Sequence, residues 1–337
     1  MAVATPGRFI WHELLTTDPD AAIPFYERVI GWTMMPWDQD PAYRMFAWRG
    51  VPMAGVMRLP EEARAGGAPP HWLSYVSVRD LDATLAEAVR LGAMTYVEAM
   101  EIPSVGRIAV LADPQHAVFG IYEPATTGHG SDDLALGDFS WHDLATDDWK
   151  AAWEFYRTLF GWEYDSQFDM GAMGTYWMFR RAGGTRTLGG MFNRPPEIPA
   201  SHWLPYVFVS SAHRSAELVG RHGGKVLNGP MEVPGGDYIV QLMDPQGAAF
   251  AVHAQSALEP PPPTKKPAAT RSAAARPGAA KPAAAKPATK KPAAKKPAAK
   301  KPAARKPAAR KPVKKAPPRT ATRARGRPVK KKPAKKR

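Results

Sequence analysis

Cysteine is absent from this 337-residue chain, which rules out disulfides and thiolate metal sites. No run of about 18 apolar residues occurs, so there is no candidate for a membrane-crossing helix. Residues Met1 to Gly7 lack the basic-then-apolar pattern of a secretory leader. Acidic residues are nearly missing from the C-terminal quarter. Between residues 258 and 337 a single acid, Glu259, faces 28 Lys or Arg, a net +27, which leaves 18 basic and 30 acidic residues elsewhere, a net −12. These absences predict a soluble cytoplasmic protein with no membrane partner, an acidic globular body and a strongly basic tail.

The body contains an internal duplication. Phe9-Ile10-Trp11-His12-Glu13-Leu14, followed by Phe25-Tyr26 and Gly31-Trp32, recurs 130 positions later as Phe139-Ser140-Trp141-His142-Asp143-Leu144, Phe155-Tyr156 and Gly161-Trp162. The register returns at a spacing of 131, where His71-Trp72-Leu73-Ser74-Tyr75 answers His202-Trp203-Leu204-Pro205-Tyr206, and Asp113-Pro114-Gln115 answers Asp244-Pro245-Gln246. Two domains, 7–125 and 137–256, are therefore expected, each of ordinary single-domain size.

Each copy divides again. Phe9 to Thr16 reads as a strand, Asp18 as a helix cap and Gly31 as a helix stop, with short apolar alternations over Tyr43 to Trp48 and Met53 to Leu59. The order restarts at Leu73 to Val78, with Asp80 as cap, Leu81, Leu85, Ala88 and Leu91 at helical spacing, and Gly92 as stop. Ala65 to Pro70 reads as a linker between the halves. The expected fold class is α+β: two tandem domains, each of paired βαβββ modules curling around a cleft, followed by a disordered tail.

The tail, residues 258–337, repeats Lys-Lys-Pro-Ala-Ala or Arg-Lys-Pro-Ala-Ala every five residues from Lys290. Proline at this spacing denies a continuous helix, and the like charge with few large apolar groups predicts disorder. Paired cations such as Lys290-Lys291, Lys295-Lys296 and Lys300-Lys301 suit phosphate neutralisation, so DNA or another polyanion is the expected partner. The repeat resembles linker-histone tails. Arg325-Gly326-Arg327-Pro328 resembles the core of an AT-hook, which lies in a narrow minor groove. Nucleoid association follows as an expectation.

The paired modules, the Asp-(x)6-Phe-Tyr-(x)4-Gly-Trp segment and the late Asp-Pro-Gln-(x)3-Phe resemble the vicinal oxygen chelate superfamily, which includes glyoxalase I, bleomycin-resistance proteins and extradiol dioxygenases. The resemblance covers residues 7 to 256. It implies a shared-cleft fold and, in catalytic members, a divalent metal held by His and Glu. The matching positions here are Trp11 and Trp141 on the first strands, Leu73 and Leu204 on the fifth, and Gly120 and Ala251 on the last. None offers a suitable lone pair, so the resemblance implies an erased site, with no metal and no cofactor expected.

Strand alternation places Trp11 with Phe9 and Glu13 on one face, and His12 on the other. His12 and His142 are therefore expected to be buried structural residues. The expected ligand-binding residues are Trp11, Tyr75 and Tyr122 in the first copy and Trp141 and Tyr206 in the second, lining an aromatic pocket for a planar or cationic small organic ligand. Candidate catalytic residues are Glu13, Asp143 and His253, the last two as an acid-base pair. Three readings stay open: a metal-independent small-molecule-binding protein tethered to nucleic acid, a lyase, isomerase or dioxygenase of the same superfamily, and a nucleoid-associated DNA-binding protein. Composition leaves the oligomeric state open.

Overall fold

The computed structural model describes residues 5–126 and 133–259. The first copy runs β1 (Phe9–Thr16), α1 (Pro19–Val29), β2 (Thr33–Pro36), β3 (Arg44–Trp48), β4 (Val51–Arg58), α2 (Glu61–Ala65), β5 (His71–Ser77), α3 (Leu81–Arg90), β6 (Met94–Ile102), β7 (Gly106–Ala112) and β8 (Val118–Pro124). The second runs β9 (Phe139–Thr146), α4 (Trp149–Phe160), β10 (Glu163–Asp169), β11 (Thr175–Arg180), β12 (Thr187–Asn193), β13 (His202–Phe208), α5 (Ala212–Arg221), β14 (Lys225–Glu232), β15 (Tyr238–Met243) and β16 (Ala249–Ala254). Each copy is thus the expected pair of βαβββ modules. The stretch read as a bare linker contributes the short helix α2 just before it.

Local chemistry sets the helix ends. Asp18 accepts from the Ala21 amide at the start of α1, where Pro19 brings a preset φ and no unsatisfied N–H. Asp80, Asp148 and Ser211 cap α3, α4 and α5 in the same way. Gly31 and Gly92 follow their helices at φ +92° and +97°, a conformation side chains resist.

Each copy forms one eight-stranded sheet, in order β2-β3-β4-β1-β5-β8-β7-β6 and its equivalent β10-β11-β12-β9-β13-β16-β15-β14. The two modules of a sheet join along an antiparallel pair, β1 with β5 or β9 with β13.

The cores are shared between copies. One packs Leu14, Phe25, Tyr26, Trp32 and Phe46 from the first half of copy one against Val207, Val219, Leu242 and Phe250 from the second half of copy two. The other reverses the roles, with Leu81, Leu111 and Phe119 against Phe155, Tyr156 and Trp162. Reciprocal hydrogen bonds fix this seam. Tyr26 donates to Asp244 Oδ2 at 3.1 Å and Tyr156 to Asp113 Oδ2 at 3.0 Å, while Trp32 donates to the Gly137 carbonyl at 3.0 Å and Trp162 to that of Gly7 at 2.7 Å. The repeated aromatic markers of the sequence are thus the groups that bind one copy to the other.

Candidate functional site

The sheet face turned away from α1 and α3 carries a buried carboxylate at its centre. Glu13 accepts from Tyr43 at 2.8 Å on Oε1 and from Tyr75 at 2.7 Å on Oε2, and the Trp11 indole donates to the Tyr43 hydroxyl at 3.0 Å. The second sheet repeats the arrangement with a shorter acid. Asp143 Oδ1 accepts from Tyr176 and from the Trp141 indole at 3.0 Å, and Oδ2 accepts from Tyr206 at 2.6 Å. Gln241 also donates to the Tyr206 hydroxyl at 3.2 Å.

Missing side chains make room for these tyrosines. A Cβ at Gly55, the strand partner of Glu13, would fall 1.9 Å from the Tyr43 hydroxyl, and one at Gly190, the partner of Asp143, would fall 2.1 Å from Tyr176 Cζ. At Gly120 it would meet Tyr75 Cδ1 at 2.1 Å. Each tyrosine therefore crosses a small residue of the neighbouring strand to reach the acid.

Burial raises the pKa of Glu13 and Asp143, and the tyrosine and tryptophan donors partly offset that rise. The same burial, with the carboxylate beside them, pushes the hydroxyls of Tyr75, Tyr176 and Tyr206 well above their ordinary range. They remain protonated donors. Around this floor, Trp11 and Trp141 are partly exposed, with Leu15, Leu73, Met57 and Ile108 beside the first and Leu204, Ile239 and Ala249 beside the second.

Two expectations need correction. Phe9 and Phe139 do not share the face of Trp11 and Trp141: a β-bulge between positions 9 and 11, and between 139 and 141, reverses the alternation. They stack instead on His142 and His12 across the seam, at ring separations of 3.7 and 3.5 Å. Asp143 and His253 are not a pair, because the tyrosines and Trp141 occupy Asp143. His253 Nε2 lies 2.9 Å from Asp237 Oδ2, and its Nδ1 lies 3.3 Å from Ser140 Oγ, a residue the bulge turns toward it. Tyr122 packs with Leu73 and Tyr75 beside Trp11, and its hydroxyl donates to the Val105 carbonyl at 3.1 Å.

His12 and His142 lie at the seam, 2 % and 3 % exposed, on the opposite face from the carboxylates. Tyr43, Tyr176 and Asp237 escaped the sequence reading. The tyrosines correspond at a spacing of 133, inside the irregular stretch where the two copies lose register, so the repeat gave no alignment for them. The small partners Gly55 and Gly190 were the available signal.

Comparison with known proteins places the family. The profile of the Glyoxalase-like domain matches residues 11–122, and that of the Glyoxalase/Bleomycin resistance protein/Dioxygenase superfamily matches residues 138–252. CFP32 of Mycobacterium tuberculosis, named as a candidate glyoxylase, is 30% identical over 249 residues, 72% of this chain and 92% of that protein. The chain belongs to the glyoxalase/bleomycin resistance protein/dioxygenase superfamily. Another relative in this superfamily is the anthracycline biosynthesis protein DauV of Streptomyces sp., 28% identical over 261 residues, 73% of this chain and 93% of that protein. In fold, the chain is similar to the Mn(II)-bound glyoxalase from Novosphingobium aromaticivorans, with a TM-score of 0.53 at 16% identity, covering 75% of this chain and 83% of that one.

The positions that hold a metal in catalytic members of the superfamily are occupied here by other groups. Trp11 spends its indole N–H on Tyr43, Leu73 offers no donor, and Gly120 has no room for a side chain because the Tyr75 ring fills that space. In the second sheet Trp141, Leu204 and the fully buried Ala251 stand at the same places. These residues do not fit a divalent metal. Among the described residues no group of three or more His, Asp or Glu side chains comes together elsewhere. No helix among them is long and apolar enough to cross a membrane. The predicted nucleic-acid residues, Lys290 to Lys301 and Arg325 to Pro328, lie outside the described residues.

Proposed function

We propose that this superfamily member is a metal-independent small-molecule-binding protein, held near nucleic acid by its basic C-terminal segment. The observation that carries the first part is the tyrosine-wrapped carboxylate, since the space and the donors that a chelated metal requires are taken up in both sheets. Above that floor lie a partly exposed indole and apolar side chains, a surface suited to a planar organic ligand. A carboxylate in a low-dielectric setting adds a preference for cationic ligands. The name of the relative DauV, an anthracycline biosynthesis protein, supports a fused-ring aromatic ligand. The test is a titration of the purified full-length chain with an anthracycline, following tryptophan fluorescence, alongside elemental analysis. Saturable quenching that Trp11→Ala and Trp141→Ala each reduce is expected. A stoichiometric transition metal in the purified protein would overturn the metal-free reading.

The tether rests on the cation spacing of residues 290–301 and on the AT-hook-like Arg325 to Pro328. Duplex DNA binding should fall linearly with salt on a log–log scale and disappear when residues 260–337 are deleted. Binding that survives the deletion would instead favour the body as the DNA-binding part.

A second reading, an enzyme of the lyase, isomerase or dioxygenase kind, is favoured by one contact. Asp237 orients His253 at 2.9 Å, as a carboxylate orients a general base, and only the second copy has it, because Tyr122 stands at the first copy's equivalent position. On this reading His253→Gln abolishes turnover and leaves ligand binding intact.

A further inference from the structure

A cavity of about 340 Å³ opens at the seam between the copies, away from both carboxylate faces. The end of α1 supplies Arg28 and Ile30, the end of β3 supplies Trp48, and α5 with the residue after it supplies Arg214, Leu218 and His222. Its size is that of a small-ligand site. No acid lines it. Among the described residues, the side chains of Arg214 and His222 have no hydrogen-bond or ion-pair partner, and Arg28 bonds only the Pro24 carbonyl of its own helix. The neighbouring carboxylates are engaged elsewhere: Glu27 accepts from the Met34 amide at 3.2 Å, Glu217 pairs with Arg221 at 3.2 Å, and Glu259 is taken up by Ser211 Oγ at 2.6 Å, the Ala212 amide at 2.8 Å and His213 Nδ1 at 2.8 Å.

The duplication provides an internal control. If these residues merely served the packing of two copies, the other seam would carry similar ones. At the spacings of 130 and 131, Arg28 corresponds to Thr158, Ile30 to Phe160, Arg214 to Ala83, Leu218 to Glu87 and His222 to Leu91. Those three groups are lost there, while Ser210 and Trp48 correspond to Arg79 and Arg181, and Ser211 and Leu218 to Asp80 and Glu87, so the other seam mixes both signs of charge. Phe160, the counterpart of Ile30, packs there with its ring 5.1 Å from Trp162 and 5.9 Å from Phe119. The cavity seam therefore gathers Arg28, Arg214 and His222 without an acid, whereas the other seam pairs cations with acids.

We propose that this cavity binds a small organic anion with a flat apolar body, its ring against Trp48 and its acidic group toward Arg28, Arg214 and His222. The indole of Trp48 is held as a fixed wall: a Cβ at Gly31 would sit 3.2 Å from its ring, and one at Gly137 2.9 Å. Residues 1–257 carry a net −12, so the positive field at this cavity is local, which suits a small anion. The site is separate from the carboxylate faces and does not depend on their reading.

The test uses the full-length chain and 1-anilinonaphthalene-8-sulfonate, an aromatic anion, with N-phenyl-1-naphthylamine as its uncharged counterpart. The sulfonate should bind at one site per chain with energy transfer from tryptophan, and at least about tenfold more tightly than the neutral amine, as expected for a charge-assisted contact. Arg214→Glu, an exposed position, should weaken the sulfonate at least about tenfold and leave the amine unchanged. Ile30→Phe, which puts the larger ring of the other seam's Phe160 into the cavity wall, should abolish binding of both. Equal affinity for the two probes, or sulfonate binding that is insensitive to both substitutions, would overturn the proposal. So would sulfonate binding lost in Trp11→Ala or Trp141→Ala, which would assign the probe to the carboxylate faces.

Discussion

His12 and His142, 130 positions apart, meet Nε2 to Nε2 at 2.7 Å at the seam between the two copies. A carbonyl oxygen only accepts, so the contact of His142 Nδ1 with the Leu188 carbonyl at 3.3 Å places the His142 proton on Nδ1. Its Nε2 is then the acceptor for the His12 Nε2–H. Both rings are neutral: burial drives the His12 pKa well below its usual value, with His142 beside it adding to the effect, and burial lowers that of His142 to about 3, with Arg186 nearby acting the same way.

The histidine pair predicts acid sensitivity. The unfolded chain takes up these protons below about pH 6.5, whereas the folded chain resists until near pH 3 for His142. Stability is therefore full above pH 6.5 and declines as pH falls, by up to about 1.4 kcal/mol per pH unit for each ring. Glu13 and Asp143 act in the opposite sense, since a raised carboxyl pKa makes the folded state bind protons first as pH falls. Comparing urea midpoints at pH 7 and 4.5 in the wild type and His142→Gln isolates the ring, because the carboxylates are common to both. The wild type should lose more stability; equal losses would remove the imidazole from the explanation.

The carboxylate clusters predict a large effect from a single oxygen. Tyr75→Phe and Tyr206→Phe each delete a donor to a buried acid and should cost about 1.5–3 kcal/mol in urea denaturation. Glu13→Gln in the Tyr75→Phe background should cost less than the sum of the two single changes, because the charge that needed the donor has gone. Strict additivity would mean that the hydroxyl and the carboxylate are not coupled.

Two kinds of glycine should behave oppositely. Gly55→Ala puts a Cβ 1.9 Å from the Tyr43 hydroxyl, and Gly120→Ala puts one 2.1 Å from Tyr75, so each should lower stability by about 1–3 kcal/mol through overpacking. Gly220→Ala, in α5 with open space around it, should raise stability by about 0.5–1 kcal/mol. Melting temperatures of the three variants check this ordering.

The start of the basic segment has a structural duty. Glu259 binds the first turn of α5 through Ser211, Ala212 and His213. A chain ending after residue 259 should melt at the temperature of the full protein, and one ending after residue 257 should lose about 1 kcal/mol, the usual worth of a helix cap. Equal melting of both truncated chains would show that the Glu259 contacts contribute nothing.

What the sequence determined alone was whatever local rules and repetition can encode. The constant spacing of Phe-Tyr, Gly-Trp and Asp-Pro-Gln revealed two copies of a paired module, Asp18, Asp80, Gly31 and Gly92 marked helix ends, and strand alternation put His12 and Glu13 on opposite faces. Tertiary structure decided the rest, because it depends on contacts between distant strands. A bulge at Ile10 and Ser140, invisible to a period of two, sent Phe9 and Phe139 to the seam. Partner choice followed three-dimensional reach: Asp143 is satisfied by tyrosines from β11 and β13, which leaves His253 to Asp237 across a hairpin. Periodicity records which way a side chain leaves its own strand, whereas hydrogen-bond partners are set by how several strands are brought together.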